Sequence, residues 1–188
     1  MQLYDTLTVE NKDYQEEKFP IGEYENCTFN SCDFSTVDIS NTIFIDCFFT
    51  NCNFSAAIIN NIVFRTVKFT GCKMLGLNFQ SANQVGLDFS FHHCNLDHSL
   101  FTKCKIRSTT FSFTSIKQVD FSGADLSSAV FNQCDLSEAV FDQTNLEKVS
   151  FTSSFNYTFN PDQNNVKNSK HSIHQLVRLF DKYKMIIE

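Results

Sequence analysis

Large apolar residues recur every five positions along most of this chain, and a small residue stands two places before most of them. In the stretch 124–143, four consecutive five-residue units begin with Ala124, Ala129, Cys134 and Ala139 and carry a large apolar residue at the third place. Neither the 3.6-residue period of a helix nor the two-residue period of a strand produces this pattern. A chain that turns a corner every five residues does produce it, and four such sides close a square coil of twenty residues.

The same period extends in both directions and defines two series of large residues. We call the large residue of each unit its centre and the small one its minus-two residue. One series runs in fives from Tyr24 to Phe79, and the other runs from Phe91 to Phe151, out of phase with the first by two residues. Repeats of this kind stack on their neighbours and bury a continuous column of centres. We predict a short loop or bulge where the phase changes, at Asn83, Gln84, Val85 and Gly86.

The cysteines support this register independently. All eight occupy minus-two positions: Cys27, Cys32, Cys47, Cys52, Cys72, Cys94, Cys104 and Cys134. At many other units the same position holds Ala, Thr or Val, so it selects for small volume and not for thiol chemistry. We therefore predict eight reduced, buried thiols and no disulfide framework. Free thiols in this number are typical of a reducing compartment, so we expect the cytoplasm.

The units Ala124–Ser128 and Cys134–Glu138 resemble the A(D/N)LXX consensus of the pentapeptide repeat proteins. The resemblance covers roughly residues 24–151. It implies an all-β fold, the right-handed quadrilateral β-helix of that family, to which this chain adds a short C-terminal α-helix.

Three segments follow from the pattern. Residues 1–23 form an N-terminal cap or degenerate coil, because Lys12 and Glu17 stand at minus-two positions, where burial of a charge is costly. Residues 24–155 form the β-helix, with the register break near 80–91. Residues 156–188 form a polar linker followed by a helix and a tail.

A helix is predicted from Ile173 to Tyr183, since Ser172 and Gln175 have the spacing of a capping box. The segment Lys184–Ile187 is predicted to be a short strand or a tail. An isolated helix of this length is marginal in water, so its apolar face must dock. That face either caps the last coil or joins a second subunit as a homodimer contact, and the sequence leaves both open. The candidate residues are Ile173, Leu176, Val177 and Phe180.

The charge pattern suggests a binding surface. The net charge of −6 disfavours nucleic acid as a direct ligand, and the chain contains no apolar run that would span a membrane. Between residues 120 and 147 every charged side chain is acidic, whereas Lys103, Lys105, Arg107 and Lys117 precede this stretch. We read the acidic stretch as a candidate surface for a basic partner, with consensus residues on a solvated face as the alternative. The candidate residues are Asp120, Asp125, Asp135, Glu138, Asp142 and Glu147.

The chain offers little for catalysis or cofactors. It contains no nucleophile, phosphate-loop or zinc motif, and a flat-sided solenoid lacks the concave pocket that a catalytic site needs. His92, His93 and His98 surround Cys94, but the register turns Cys94 inward and His93 and His98 outward on successive sides. We expect no metal site, no cofactor and no enzymatic activity. His171 and His174 are expected to face solvent.

The order of a two-block β-helix and a C-terminal helix is similar to that of the Qnr-type quinolone-resistance members of the family. That resemblance implies an acidic, rod-shaped mimic of duplex DNA that binds a type II topoisomerase, DNA gyrase or topoisomerase IV, and that dimerises through C-terminal elements. Modulation of quinolone or toxin sensitivity would follow. The alternative is a generic scaffold or interaction module with another partner.

Overall fold

The computed structural model of the protein describes residues 1–180 and Lys184. It is a parallel β-solenoid with one short C-terminal helix, which confirms the predicted fold class. The strands are β1 (Leu3–Asp5), β2 (Thr8–Glu10), β3 (Glu23–Glu25), β4 (Thr28–Asn30), β5 (Ile43–Ile45), β6 (Phe48–Thr50), β7 (Val63–Arg65), β8 (Val67–Thr70), β9 (Phe89–His92), β10 (Thr110–Ser112) and β11 (Val130–Asn132). The helices are two 3-10 turns, Phe79–Ser81 and Pro161–Gln163, and α1 (Ile173–Arg178).

The coil has four sides, which we number in chain order. The first side is the four-stranded parallel sheet β1-β3-β5-β7, and the second is the seven-stranded parallel sheet β2-β4-β6-β8-β9-β10-β11. The third side is a column of single parallel bridges that runs from Asp13 to Phe155, and the fourth is a similar column from Asp38 to Val140. Partners are twenty residues apart, as in the pair Phe29 and Phe49, so each turn of the coil takes twenty residues.

The centres of both series form the core. Phe44, Phe49, Phe111 and Phe121 are all fully buried. Rings twenty residues apart stack face to face, while rings on neighbouring sides meet edge to face: Phe111 and Phe131 stack at 4.8 Å, and Phe121 meets Phe131 edge-on at 6.0 Å. Both geometries are favourable for aromatic pairs. Burial of each ring contributes roughly 1.5–3 kcal/mol, so this column is the main source of stability.

The corners of the coil are mostly formed by residues other than glycine. The residue two places after nearly every centre has a left-handed backbone, for example Asn26 (φ 52°), Asn51 (φ 53°) and Gln133 (φ 54°). Asn is among the residues that tolerate this conformation best. A Phe does not, yet Phe113 holds a corner at φ 51° with its ring largely exposed.

The minus-two position places a small side chain beneath the backbone of the preceding turn. All eight cysteines are buried there and unpaired, as predicted. The Sγ of Cys47 donates to the carbonyl oxygen of Tyr24 at 3.3 Å. The hydroxyl of Thr144 makes the equivalent bond to Phe121 at 2.9 Å, so a thiol or hydroxyl here satisfies the same kind of acceptor.

The strand register changes between β8 and β9. Strand partners are twenty residues apart up to β7 and β8, but Phe69 pairs with Phe91, a separation of 22. The two extra residues fall in the segment after the 3-10 turn Phe79–Ser81, on the first side, and the first-side sheet ends at β7 for this reason. The pattern resumes with β9, whose residues Phe89 and Phe91 are both buried.

The segment after residue 155, which we predicted to be a linker, is part of the solenoid. Asn145 pairs with Asn165 and Ser150 with Lys170, so the segment continues the solenoid by another turn. Tyr157 and Phe159 are buried inside it. They do not keep the five-residue phase, which is why the repeat is not visible in the sequence.

The helix α1 closes this end. Ser172 caps it, accepting from the Gln175 amide at 3.3 Å, as predicted. The Gln175 side chain does not complete the capping box. It instead accepts from the backbone N–H of Asn156 at 3.2 Å, and Arg178 donates to the Asn156 side chain at 3.0 Å. The helix ends at Arg178, and Leu179 and Phe180 form a turn, so the predicted helix is too long by at least these two residues. Residues 181–183 and, apart from Lys184, the predicted tail Lys184–Ile187 lie outside the described residues.

At the opposite end, β1 and β2 pair in register with β3 and β4 and form the first turn. Lys12 and Glu17, the charged minus-two residues, are exposed and form an ion pair at 3.0 Å. Within the part of the chain that the structure describes, no helix has the length and apolar character needed to cross a bilayer.

Candidate partner-binding surfaces

The six predicted acidic residues do not share one side of the rod. Asp120 and Asp142 lie on the fourth side, and Glu138 occupies the corner (φ 58°) that leads into it. Asp125 bridges to Lys105 and Asn145 on the first side, and Asp135 bridges to Ser115 and Phe155 on the third. Glu147 follows Asn145 on the first side. The structure therefore divides the predicted surface into separate groups.

Three of the six carboxylates are neutralised by cations. Asp125 accepts from Arg107 at 2.6 Å, Asp135 lies 3.3 Å from Lys117, and Glu147 lies 3.6 Å from Lys148. The first two cations stand 18 residues before their partners, on the preceding turn of the coil. The absence of Lys and Arg between residues 120 and 147 therefore does not leave these carboxylates uncompensated.

The same carboxylates build the backbone turns. Asp125 accepts from the amide of Ser127 at 3.1 Å and from the Asn145 side chain at 2.9 Å. Its partial burial opposes ionisation, yet the hydrogen bonds from Arg107 and Ser127 outweigh burial and lower the pKa of its carboxyl. Asp135 is similar: burial is outweighed by hydrogen bonds from Ser137, Asn156 and Lys117, so its pKa is also lowered. These two residues are therefore structural as well as charged.

The remaining three carboxylates form an unpaired group, Asp120, Glu138 and Asp142, which we call the fourth-side acidic cluster. Among residues 1–180, no cation lies within ion-pair distance of any of them. Asp120 accepts from the Ser122 amide at 2.8 Å, and Glu138 accepts from the Gln118 side chain at 2.7 Å. Neutral donors thus hold two of these side chains in place while their charge faces solvent.

A larger acidic region was missed in the sequence interpretation. Residues 1–50 contain ten carboxylates and two cations, and Lys12 is already paired with Glu17. On the first side, Asp5 lies directly opposite Glu25 in the β1–β3 pair. A simple count of charge in twenty-residue windows would have found this region. Its carboxylates are Asp5, Glu10, Asp13, Glu16, Glu17, Glu23, Glu25, Asp33, Asp38 and Asp46.

The predicted loop, Asn83, Gln84, Val85 and Gly86, projects from the first side between β7 and the turn that contains Lys105. The middle of the rod around it is basic: residues 51–119 carry seven cations and two carboxylates, Asp88 and Asp97. The charge of the chain is therefore sorted into bands along the axis.

The predicted dimer or cap helix uses most of its apolar face within its own chain. Leu176 and Phe180 pack against the core, Val177 is half-buried, and the neighbouring Leu179 is buried. Ile173 points away and is 68% exposed. These contacts are those of a cap. A dimer contact through Ile173 stays a prediction.

The histidines discussed above lie in two places, beside Cys94 and beside the C-terminal helix. His92 and His93 are exposed with ring centres 4.4 Å apart, and Phe113 stacks on His93 at 4.9 Å, while Cys94 is buried. Within residues 1–180 and Lys184, no group of three or more His, Cys, Asp or Glu is arranged to hold a metal ion. His171 does not face solvent, contrary to the prediction, because its ring stacks on Phe151 at 5.5 Å.

Three of the buried thiols, those of Cys47, Cys104 and Cys134, are held in the unreactive protonated form. Burial raises the pKa of Cys47 and of Cys104 to about 12, and that of Cys134 to about 11. Since the thiolate is the reactive form, these cysteines behave as small apolar core residues.

A parallel solenoid with flat charged sides and a filled aromatic core defines the class of β-solenoid repeat proteins. Comparison with known families gives the same answer. The pentapeptide repeats family matches in eight copies, over residues 25–55, 47–83, 90–123 and 120–154. The chain belongs to the pentapeptide repeat family.

Solved structures share the fold. A trypsin-treated form of QnrB1, a plasmid-mediated fluoroquinolone resistance protein, aligns with a TM-score of 0.52 and 21% identity over 100% of both chains. HetL, a pentapeptide repeat protein involved in heterocyst differentiation regulation from the cyanobacterium Nostoc sp. strain PCC 7120, aligns with a TM-score of 0.53 and 12% identity, covering 91% of this chain and 84% of HetL. No curated protein sequence matches this chain significantly.

Proposed function

We propose that this protein is a non-enzymatic interaction rod whose acidic surface mimics DNA and binds the basic, DNA-binding surface of a type II topoisomerase, gyrase or topoisomerase IV. Membership of the pentapeptide repeat family supports the interaction role. The likeness to QnrB1 is one of fold. It suggests that the response of gyrase to a fluoroquinolone is a suitable readout for the proposed interaction. Eight unpaired thiols support a cytoplasmic location.

The observation that carries the proposal is the fourth-side acidic cluster. Its three carboxylates lie on adjacent turns, which are about 4.8 Å apart, and none has a cation partner within residues 1–180. Lys and Arg side chains that bind phosphates are attracted by regularly spaced negative charge. Asp125 and Asp135 contribute less, because Arg107 and Lys117 already neutralise them.

The test is a gyrase supercoiling assay, with and without a fluoroquinolone, on wild type and on the triple variant Asp120→Asn, Glu138→Gln and Asp142→Asn. Asn at position 120 keeps the oxygen that accepts from Ser122, so the fold is retained. A matched control, Glu10→Gln, Asp13→Asn and Glu16→Gln, removes the same charge from exposed positions at the other end. We expect the wild type and the control to alter gyrase supercoiling, and this effect should fall steeply as the salt concentration rises. The triple variant should have no effect on supercoiling.

Two results would reject the proposal. One is the absence of any effect of the wild type on gyrase or topoisomerase IV at micromolar concentration. The other is an effect that the triple variant retains in full. Either result would favour the alternative, a scaffold for another partner, for which the basic middle of the rod is the supporting observation.

A further inference from the structure

A second surface stands out in the basic middle of the rod, at the register break. We propose that the loop 83–88, together with Arg65, Lys103 and Lys105, forms a docking surface for an acidic protein segment that carries an apolar side chain. This surface is distinct from the acidic cluster of the proposed function and opposite to it in charge.

The three cations lie on the turns before and after the loop. Arg65 ends β7 on the turn before it, and a Cβ on Gly86 would lie 3.7 Å from the Arg65 Nε. Lys105 lies on the turn after it, where its amide donates to the Gln84 side chain at 3.4 Å. Lys103 occupies the corner just before Lys105 (φ 59°).

These three cations have no ion-pair partner, unlike the next two cations along the chain. Arg107 and Lys117 are paired with Asp125 and Asp135, whereas Arg65, Lys103 and Lys105 are exposed and, among residues 1–180, no carboxylate lies within ion-pair distance of them. Asp88 is the one carboxylate of the loop itself. The local charge is therefore positive and available to an anionic partner.

The loop also offers an apolar anchor. Val85 is 75% exposed, more than any other large apolar residue between Leu3 and Ile173. Apolar contact at the centre of a charged rim is the usual composition of a protein interface. A partner that places one apolar side chain on Val85 and carboxylates on either side would satisfy both features.

The loop is held rigid before any partner binds. The Gln84 side chain donates to the carbonyl oxygens of Phe79 and Ala82, both at 3.0 Å. Asn83 donates to the Asn61 side chain at 3.3 Å and accepts from the Val85 amide at 3.0 Å. Because these bonds already fix the loop, binding loses little conformational entropy.

The charge bands favour a protein segment over DNA. Residues 1–50 carry ten carboxylates against two cations, and residues 120–147 carry six against none, so acidic bands flank the basic middle on both sides. A duplex laid along the rod would meet both bands, at a spacing of about 4.8 Å per turn. A short acidic segment that crosses the rod at the loop would meet only the cations.

The experiment measures fluorescence anisotropy of a labelled peptide with glutamates on both sides of one leucine. The double variant Arg65→Glu and Lys105→Glu should weaken binding at least about tenfold, and Val85→Ser should weaken it several-fold without changing its salt dependence. The matched control, Lys18→Glu and Lys73→Glu, makes the same charge change at exposed positions away from the loop. It should bind within about twofold of wild type.

Several outcomes would overturn the inference. Absence of peptide binding to the wild type at about 50 mM salt is one, and equal loss in the control variant is another. If duplex DNA of matched charge displaces the peptide at lower concentration, the surface is a general polyanion site. If the wild type alone self-associates at low salt and the double variant does not, the occupant is a second copy of the chain.

Discussion

At the scale of the residue, the minus-two position shows how much one polar atom matters in this core. Ala, Cys, Ser, Thr and Val all fit beneath the preceding turn, but a hydroxyl there must find an acceptor. Ser154 and Thr144 do so, donating to Phe131 and Phe121, both at 2.9 Å. Thr42 is fully buried, and its hydroxyl has no hydrogen-bond partner among the described residues.

We therefore predict that Thr42→Val stabilises the protein by about 1 kcal/mol, since it removes an unsatisfied buried hydroxyl while keeping the shape. The same change at position 144 breaks a bond and should destabilise by about the same amount. Urea denaturation of both variants measures the difference. Opposite signs are expected, and a loss of stability in both would contradict the hydrogen-bond argument.

A second residue-scale prediction concerns pH. The imidazole of His171 is half-buried between Phe151 and Tyr157, and it shares hydrogen bonds with the Tyr157 hydroxyl at 3.0 Å and Ser169 at 2.9 Å. Burial lowers the pKa of His171 below the ordinary value of 6.5. The neutral ring is thus favoured in the fold, while the unfolded chain takes up a proton more readily. Tyr157, whose pKa burial raises to about 12, does not titrate in this range.

The stabilisation from His171 should be complete above pH 6.5 and should fall as the pH drops from 6.5 through the lower folded pKa. Thermal melts of wild type and of His171→Asn across this range test the prediction. The slope of stability against pH should be smaller in the variant than in wild type. An equal slope in wild type and His171→Asn would refute the assignment.

At the scale of the element, the corner is the repeating unit that turns the chain. Each corner needs a left-handed residue, and the coil fills most of these positions with Asn, Ser, Gln or Thr. Corners also stack, so the side chain at one turn limits the next. Gly71 (φ 65°) lies above Asn51, and a Cβ at position 71 would collide with the Asn51 Oδ1. Gly76 (φ 66°) has no atom within 4 Å of such a Cβ.

Gly71→Ala should consequently lower the free energy of unfolding more than Gly76→Ala does. Both variants acquire a left-handed alanine, at about 1–2 kcal/mol, but only the first also displaces Asn51. Chemical denaturation of the two variants isolates the contribution of the clash. Equal losses would mean that Asn51 moves aside freely.

The five-residue period determines which structural features can be predicted from the sequence. Centres and minus-two residues recur because every turn buries the same two positions, so Phe29, Phe111 and the break at Gln84 can be located by counting in fives. Tyr157 and Phe159 cannot, because the closing turn buries them out of phase. The pairs Arg107–Asp125 and Lys117–Asp135 join neighbouring turns, so they become visible only when the chain is read with a separation near twenty.

At the scale of the whole molecule, charge is arranged in bands along the axis. Residues 1–50 and 120–147 are acidic, and residues 51–119 are basic. The candidate site was therefore predictable only in part: the sequence identifies Asp120, Glu138 and Asp142, but the cations that neutralise Asp125 and Asp135 come from another turn. A repeat protein of this kind can present different partners with different bands of one rod.

The predicted dimer can be tested at this scale without disturbing the cap. Ile173 is exposed, whereas Leu176 and Phe180 pack against their own core, so Ile173→Asp changes a contact surface and spares the fold. If α1 joins two subunits, this variant should be monomeric by sedimentation where the wild type is dimeric. An unchanged mass with an unchanged melting curve would leave α1 with its capping role alone.

Burial protects the core thiols from oxidation by air only while the chain is folded. In the folded chain, Cys47 and Cys104, each with a pKa of about 12, are almost entirely protonated at neutral pH and inert to oxidants. In the unfolded chain the ordinary pKa of about 8.5 returns, and thiolates become available to form mismatched disulfides. Heating without a reductant should thus be a one-way event. The rod would be durable while it stays coiled, and its working life outside a reducing environment would be set by how often it uncoils.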